Sequence, residues 1–431
     1  MEEGPEPRSP LEEAPEGYAA GVGQRLAFYQ RAGGIVTPVA TALLAFLIGG
    51  VVVLATGHNP WSTYRAIFNG TGLNWFFHFG SYHIDLPFTD HRVWFLWNTS
   101  SEEEAAGNLQ QTLLTMTPLI LTGLAVAFAF RCGMFNIGGQ GQYLLGQTLA
   151  VIIGAKISGV GGPVHIFLGV TTATLGGALW GGIAGFLKAT VGAHEVITTI
   201  MLNWIAIWST DYLFGNSGPL QSTTQQFNPV SDDIHESAKL PVFWGEAGLQ
   251  GLHIGLFIAL AMLVVYWITV NRTTLGYEVR AVGFNPDAAR YGGISVRRNY
   301  FLAMAISGAF AGLAGSIDML GWQYRLATAD IHASTIGFTG IAVALLGRNT
   351  AIGIFFSSLL FAALTIGTST RQLDPEVFPP LLATNLTLII QGLIVLFVGA
   401  EVLVLYFWQA RRKLPPRRRE SPPAAVPGAG L

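Results

Sequence analysis

Long apolar segments alternate with polar connections along most of the chain. A helix needs roughly 20 apolar residues to cross the hydrocarbon core of a bilayer. The chain has ten apolar segments, all of which approach or exceed that length except the eighth, which is too short. Their approximate bounds are 34–56, 112–130, 137–155, 164–187, 196–214, 251–270, 301–320, 335–347, 350–370 and 381–408. The pattern predicts an all-α, polytopic membrane protein. The eighth segment is predicted to be a half-helix or part of a re-entrant pair, whose ends protein or a cavity must cover.

The same pattern divides the chain into a membrane domain and two polar ends. Residues 1–24 are rich in Pro, Glu and Gly, which predicts a disordered cytoplasmic tail, and residues 415–431 predict a second, basic one. Residues 25–414 form the predicted transmembrane domain. Within it, 71–106 is predicted to be an extracytoplasmic insertion and 271–299 a cytoplasmic loop.

Composition supports a membrane protein. Hydrophobic residues make up 51% of the chain and charged residues only 11%, whereas soluble domains average about 25% charged residues. The 53 glycines are consistent with membrane helices, in which small residues allow close approach of backbones. Cys132 is the only cysteine, which excludes an intrachain disulfide and a cysteine-based metal site. No metal site is predicted.

Basic residues cluster in alternate connections, which predicts the orientation by the positive-inside rule. The basic residues that would face the cytoplasm are Arg25, Arg31, Arg131, Lys188, Arg272, Arg280, Arg290, Arg297, Arg298, Arg411, Arg412, Lys413, Arg417, Arg418 and Arg419. The acidic residues of the opposite loops are Asp85, Asp90, Glu102, Glu103, Glu104, Asp232, Asp233, Glu236 and Glu246. A random scatter of charges is the alternative. The pattern predicts a bacterial inner-membrane protein with both termini in the cytoplasm.

Two glycine-rich stretches occupy matching places along the chain. Residues 136–140 open the third segment, which runs outward, and residues 337–341 open the eighth, which runs inward. Because five segments separate them, two five-helix halves would be inverted relative to each other. Inverted repeats with broken helices near the middle of the membrane are typical of transporters.

The cytoplasmic loop 271–299 contains the signals of a short helix. Asn285 is a suitable N-cap, Pro286 suits the first helical position, and the carboxylate of Asp287 favours the first turn. Gly292 and Gly293 end the helix after about six residues. A short helix on this face suits docking into a groove of a partner, and an ordinary basic loop is the alternative.

Asp287-Ala288-Ala289, followed by Gly293, resembles the Glu-Ala-Ala-x-x-x-Gly coupling motif of bacterial ABC importer permeases, with Asp in place of Glu. Other runs resemble the permeases of nucleoside and simple-sugar ABC importers, which are related to ribose and branched-chain amino acid permeases. These runs are 123–128, 135–142, 195–203, 275–283 and 340–349. The resemblance extends from about Gly57 to Gly399 and departs from the family pattern at 71–106.

The resemblance implies that the short helix transmits nucleotide-driven closure from an ATP-binding subunit. The residues it assigns to coupling are Arg280, Asn285, Pro286, Asp287, Ala288, Ala289 and Gly293. It also implies a second permease subunit, homologous or identical, two ABC ATPase subunits and an extracytoplasmic solute-binding protein. This chain is not expected to be an enzyme or to hold a cofactor, since none of its four lysines follows a glycine as a phosphate loop requires. ATP and Mg would bind to the ATPases. No nucleic-acid partner is expected.

Polar side chains within the apolar segments are candidates for the substrate path. They are Asn136, Gln140, Gln142, Thr198, Thr199, Asn203, Asp318, Trp322 and Thr339. Amides and hydroxyls both donate and accept hydrogen bonds, which suits a neutral, hydroxyl-rich solute, and an indole can stack on a base or sugar. The family resemblance favours a nucleoside, with a sugar next, although some related permeases carry amino acids. The alternative is that these groups simply hydrogen-bond between helices.

A secondary transporter driven by an ion gradient is the competing interpretation, because inverted repeats and broken helices suit it equally. Asp318 would then be the best candidate for ion coupling. Uptake that requires ATP and a binding protein distinguishes the ABC permease from uptake that persists on an ion gradient alone.

Overall fold

The computed structural model describes residues 38–77, 83–85, 92–94, 102–225, 227–245, 251–369 and 385–399. Both predicted tails and half of the predicted insertion lie outside the described residues.

Helices dominate the described chain, as predicted. They are α1 (Pro38–Ala55), α2 (Pro60–Gly70), α3 (Glu102–Arg131), α4 (Gly139–Lys156), α5 (Gly162–Val191), α6 (Glu195–Phe214), α7 (Gly255–Arg272), α8 (Thr274–Phe284), α9 (Pro286–Tyr291), α10 (Val296–Asp318), α11 (Thr328–Ala333), α12 (Ile336–Leu346), α13 (Ala351–Gly367) and α14 (Asn385–Gly399). Each of the ten predicted segments contains one of these helices. In chain order they are α1, α3, α4, α5, α6, α7, α10, α12, α13 and α14.

Six helical stretches of the described chain are long and apolar enough to cross a membrane. They are Pro38–Ala55, Glu102–Arg131, Gly162–Val191, Gly255–Arg272, Val296–Gln323 and Thr328–Leu346. The last of these is broken between α11 and α12. Since α12 has 11 residues, it is only about 16 Å long, far less than a bilayer core.

Helix α3 lies at the centre of the fold. It is buried along most of its length and packs against α7, α10, α12 and α13. A helix surrounded by other helices has no polar face, which explains why its apolar residues occur on all sides. The helix begins at Glu102, about ten residues before the predicted start of the segment. Glu102, Glu103 and Glu104, predicted to lie in the external loop, form its first turn, where the positive end of the helix stabilises carboxylates.

Glycine brings α5 and α10 into backbone contact. A Cβ atom on Gly308 would lie 2.1 Å from the carbonyl oxygen of Gly177, and one on Gly181 would lie 2.5 Å from the carbonyl oxygen of Met304. On α4, a Cβ on Gly146 would lie 2.4 Å from the carbonyl oxygen of Gly312. The predicted use of glycine for close helix approach is confirmed at this three-helix junction.

The connection between α6 and α7 covers the ends of α4 and α10. It contains strand β3 (Val242–Trp244), which pairs antiparallel with β4 (Leu252–His253), whereas β1 (His83–Asp85) and β2 (Arg92–Trp94) pair in the predicted insertion. The backbone N–H of Leu240 donates to the carbonyl of Leu320 (2.8 Å). At the end of α4, the Lys156 ammonium donates to Asp232 (2.7 Å), which holds the pKa of that carboxyl below its usual value.

Candidate translocation path and coupling helix

The N-termini of α4 and α12 meet inside the protein. A Cβ atom on Gly337 would lie 2.3 Å from Cα of Gln140, so only glycine allows this crossing. The side chain of Gln140 joins the two helices: its Oε1 accepts from the N–H of Gly337 (2.9 Å) and its Nε2 donates to the carbonyl of Ser334 (3.0 Å). The two glycine-rich stretches that occupy matching places in the sequence are therefore in direct contact.

Asn136, just before α4 begins, links α4 to α10 directly and to α3 through Ser307. Its Nδ2 donates to Oε1 of Gln142 (2.9 Å) and to Oγ of Ser307 on α10 (2.7 Å), while its Oδ1 accepts from the N–H of Gly138 (2.8 Å). The Ser307 hydroxyl in turn donates to the carbonyl of Ala125 on α3 (2.5 Å). These side chains are buried, so every polar group needs such a partner.

Asn203 holds α6 against the start of α4. Its Nδ2 donates to the carbonyl of Ile137 (2.9 Å) and its Oδ1 accepts from the N–H of Gly141 (2.8 Å). Thr199 lies one turn earlier, is buried, and donates to the carbonyl of Glu195 within its own helix (2.8 Å). Thr198, by contrast, is partly exposed. Thr339 on α12 is also partly exposed and donates to the carbonyl of Thr335 (3.1 Å).

Asp318 and Trp322 belong to a second cluster, along the first half of α4. The buried Asp318 carboxylate accepts hydrogen bonds from the Tyr143 hydroxyl and from Nε1 of Trp322. A π-helical turn, Met319–Gln323, follows α10 here. Gln147 completes the cluster by donating to the Tyr143 hydroxyl (3.0 Å) and to Oε1 of Gln323 (2.8 Å). Sequence reasoning missed Tyr143 and Gln147, although their i, i+4 spacing within an apolar segment was a usable signal.

The structure thus gathers Asn136, Gln140, Gln142, Thr199 and Asn203 around the start of α4, and it places Asp318 and Trp322 in the adjoining cluster around Tyr143. The amides bond to backbone and side chains of the chain itself. They fix the ends of the two helices that meet there.

Helix α9 has the predicted form. Oδ1 of Asn285 accepts from the N–H groups of Asp287 and Ala288 (3.0 Å each), Pro286 is its first residue, and Gly293 beyond its end has φ +82°. Asp287 and Ala288 are exposed, whereas Ala289 packs inward.

Two aromatic side chains that sequence reasoning missed lie at the ends of the helix: Phe284 precedes it by two residues, and Tyr291 is its last residue. Phe284 and Tyr291 are 91% and 97% exposed, so α9 presents an apolar margin at each end. Arg280 lies on α8, a helix that was also missed, where its Nε donates to the carbonyl of Gly276 (3.2 Å). The signal for α8 was Thr273, which caps it by accepting from the N–H of Gly276 (3.1 Å).

The end of α8 touches the turn that follows α3. A Cβ atom on Gly283 would lie 2.4 Å from the carbonyl oxygen of Arg131, and one on Gly133 would lie 3.2 Å from Cα of Gly283. This turn leads directly to Asn136. Contact is therefore continuous from α9 to the start of α4.

The chain is similar to known transport proteins over most of its length. A family model described as "Branched-chain amino acid transport system / permease component" matches residues 108–399. The guanosine ABC transporter permease protein NupP of Bacillus subtilis (strain 168) is 36% identical over 374 residues, which cover 86% of this chain and 95% of NupP. The glucose ABC transporter permease protein TsgB13 of Haloferax volcanii is 32% identical over 369 residues, covering 84% of this chain and 86% of TsgB13.

A second guanosine ABC transporter permease protein of Bacillus subtilis, NupQ, is 26% identical over 258 residues, covering 58% of this chain and 78% of NupQ. No solved structure gave a significant match. These similarities decide between the two predicted classes in favour of the ABC permease and against the ion-driven transporter. The chain belongs to the permease-component family of branched-chain amino acid transport systems, and it is a multi-pass, non-enzymatic membrane subunit of an ABC transporter.

Proposed function

We propose that this chain forms one half of the translocation path of an ATP-driven importer of nucleosides, with a simple sugar as the second candidate solute. The observation that carries the proposal is the 36% identity to a guanosine permease over 95% of that protein. The 32% identity to a glucose permease keeps the sugar as the alternative.

Two inverted five-helix halves are part of the proposal. If the halves are equivalent, α3 corresponds to α10, α4 to α12 and α5 to α13. The observed packing supports this correspondence, because α3 packs against α12 and α13 while α10 packs against α4 and α5. The meeting of the α4 and α12 N-termini is what such a two-fold relation would produce near the middle of the membrane.

The proposed path runs beside the junction of α4, α6 and α12. Thr198, Trp322 and Thr339 are partly exposed and would face the solute. The buried candidates would hold the helices that line the path in position and would not contact the solute. These are Asn136, Gln140, Gln142, Thr199, Asn203 and Asp318. A second permease subunit would complete the path, as the matching of both NupP and NupQ to this chain suggests.

Coupling to two ABC ATPase subunits would occur at α9. Its exposed residues and its flanking aromatics, Phe284 and Tyr291, form the surface that a groove in an ATPase would bury. This assignment requires α9, and with it both chain termini, on the cytoplasmic side of the inner membrane. An extracytoplasmic solute-binding protein would deliver the solute to the opposite side.

The test is uptake by the assembled transporter in proteoliposomes. Labelled guanosine should enter only with ATP and the binding protein, and unlabelled guanosine should compete better than glucose. Uptake driven by an ion gradient without ATP would contradict the ATP-driven function. Glucose uptake without guanosine uptake would show that the transported solute is a sugar and not a nucleoside.

The coupling assignment has its own variant. Ala288→Arg places a bulky charge on the face of α9 that the ATPase would bury. If the substitution weakens binding of the ATPase by more than about 1.4 kcal/mol, the affinity falls by more than about tenfold, and ATP-driven uptake should fall with it. Val191→Arg, at an exposed position at the end of α5, is the matched control and should transport normally. Equal uptake by the two variants, at equal abundance in the membrane, would remove α9 from the ATPase contact.

A further inference from the structure

Helix α6 carries a row of aromatic side chains that the rest of the described chain leaves more than half exposed. Trp204, Trp208 and Tyr212 are 53%, 59% and 72% exposed. Their spacing of four residues places them on one side of the helix. Successive rings are about 6 Å apart along the helix axis, so together they form a row parallel to that axis.

This row differs from the aromatic belt that anchors proteins at a membrane surface. A belt places its rings at one level, close to the lipid headgroups. Counted from Glu195, the first residue of α6, Trp204 lies about 14 Å along the helix and Tyr212 about 26 Å. The rings therefore spread over about 12 Å of the helix axis instead of lying at one level.

A hydrogen-bonding pair stands beside the rings. Nε2 of His332, on α11, lies 3.2 Å from Oδ1 of Asp211, on α6. The His332 ring also packs edge-on against Trp208, with a centroid distance of 5.5 Å. Both polar side chains remain partly exposed, at 31% for Asp211 and 45% for His332. With α6 as the membrane span that the sequence predicts, an exposed carboxylate there is unfavourable against lipid tails, which argues for a face directed at protein or water.

The rings border a shallow groove that is lined by α6 alone and is open on one side. About 550 Å³ of space lies over it, so this chain would cover only one face of a solute bound there. The residues that line it are Trp204, Ile205, Trp208, Ser209, Tyr212 and Leu213. Flat rings stack on indoles and phenols. A carboxylate and an imidazole accept or donate hydrogen bonds to ribose hydroxyls.

We propose that this groove binds the nucleoside during passage, with the base stacked on Trp204, Trp208 or Tyr212 and the ribose hydroxyls bonded to Asp211 and His332. The inference rests on the proposed function and adds the site at which this subunit contacts the solute. Lipid and a covering surface of the second permease subunit are the competing occupants.

Photolabelling tests the occupant directly. The assembled transporter in proteoliposomes is irradiated with 8-azidoguanosine during ATP-driven turnover, digested and mapped. Label should appear in residues 195–214 and should disappear with excess guanosine. Label that maps only to other segments of the permease would overturn the proposal. Labelling of this segment by a photoactivatable phospholipid, with none by the nucleoside, would assign the face to lipid and would also overturn it.

Variants give a second, independent measurement. Trp208→Ala should lower the initial rate of guanosine uptake about tenfold, whereas Trp208→Phe, which retains a stacking ring, should stay within about twofold. Asp211→Asn should lower uptake of guanosine more than uptake of a nucleobase-like analogue without ribose. Trp267→Ala, at a 45% exposed tryptophan on α7, is the control and should transport as wild type.

The outcomes separate this inference from the proposed function. A wild-type transporter that takes up no nucleoside refutes the proposed solute. A wild-type transporter that takes up guanosine while Trp208→Ala does so at the same rate refutes the groove alone. If Trp208→Ala fails to reach the membrane, the labelling of the wild-type protein and the rate of Trp208→Phe decide.

Discussion

The α5–α10 interface and the outer face of α6 are both apolar, yet they are built from residues of opposite size. Gly177 and Gly308 bring two backbones into contact, so nothing can enter between α5 and α10. Trp204 and Trp208 project from α6 and remain half exposed. In a membrane, apolar area alone does not bring helices together, because lipid tails are equally apolar, and close backbone approach supplies much of the attraction. Small residues therefore mark the α5–α10 interface, where backbones touch and which we call the closed interface. Large exposed rings mark the face of α6 that the other described helices do not bury, which we call the open face.

The largest effect is expected from breaking the closed interface. In Gly308→Ala the new methyl group would lie 2.1 Å from the carbonyl oxygen of Gly177, and neither backbone can move without separating the helices. We expect a loss of stability of about 1–3 kcal/mol or more, measured as thermal unfolding in detergent. Gly161→Ala, where a Cβ would meet no atom within 4 Å, is the matched control. Similar unfolding temperatures for both variants would show that contact between α5 and α10 is not what closes the fold.

An intermediate effect is expected at the crossing of α4 and α12. There the backbones are close at Gly337, and the side chain of Gln140 bonds to Gly337 and Ser334, an arrangement we call the clamp. Gln140→Leu keeps the size of the side chain but leaves the N–H of Gly337 without its acceptor. The cost of such an unsatisfied buried group is about 1–3 kcal/mol, and ATP-driven uptake should fall as the two helix ends separate. Thr339→Val removes a hydroxyl that bonds only within its own helix and should have a much smaller effect on the unfolding temperature. An unfolding temperature of Gln140→Leu equal to that of Thr339→Val would mean that the clamp contributes nothing.

The smallest effect on stability is expected on the open face. Trp204→Ala removes a ring that is 53% exposed, and we expect the free energy of unfolding to change by less than about 0.5 kcal/mol. Uptake of guanosine by the same variant should nevertheless fall. This combination, stable protein with reduced transport, is the reverse of what a packing residue gives. A large drop in the unfolding temperature would place Trp204 among the residues that hold the fold together.

Local signals carried most of what the sequence could predict. Helix α9 follows from Asn285, Pro286 and the glycines after it, all within ten residues, and its bounds agree with the prediction. The polar residues of the apolar segments were recognised because each is costly in a membrane. Their partners were not, since Gln140 bonds to Gly337 and Asn136 to Ser307 across large separations in the sequence.

Other features gave a weak or misleading signal. The start of α3 was placed too late because three glutamates lower its hydropathy, although carboxylates are favourable in a first turn. The exposure of Trp204 and Trp208 was not predicted, because in a membrane protein both buried and exposed positions are apolar. Only the three-dimensional neighbours of each ring distinguish the two.

The contact between Gly133 and Gly283 has a mechanical consequence. Main chain meets main chain there, with no side chain between α8 and the turn after α3. Side chains can change rotamer and absorb a small displacement, but two touching backbones cannot. If α9 is the ATPase contact proposed above, a displacement of α8 and α9 would be passed to the turn after α3, which leads to Asn136, because no side chain at this contact can absorb it.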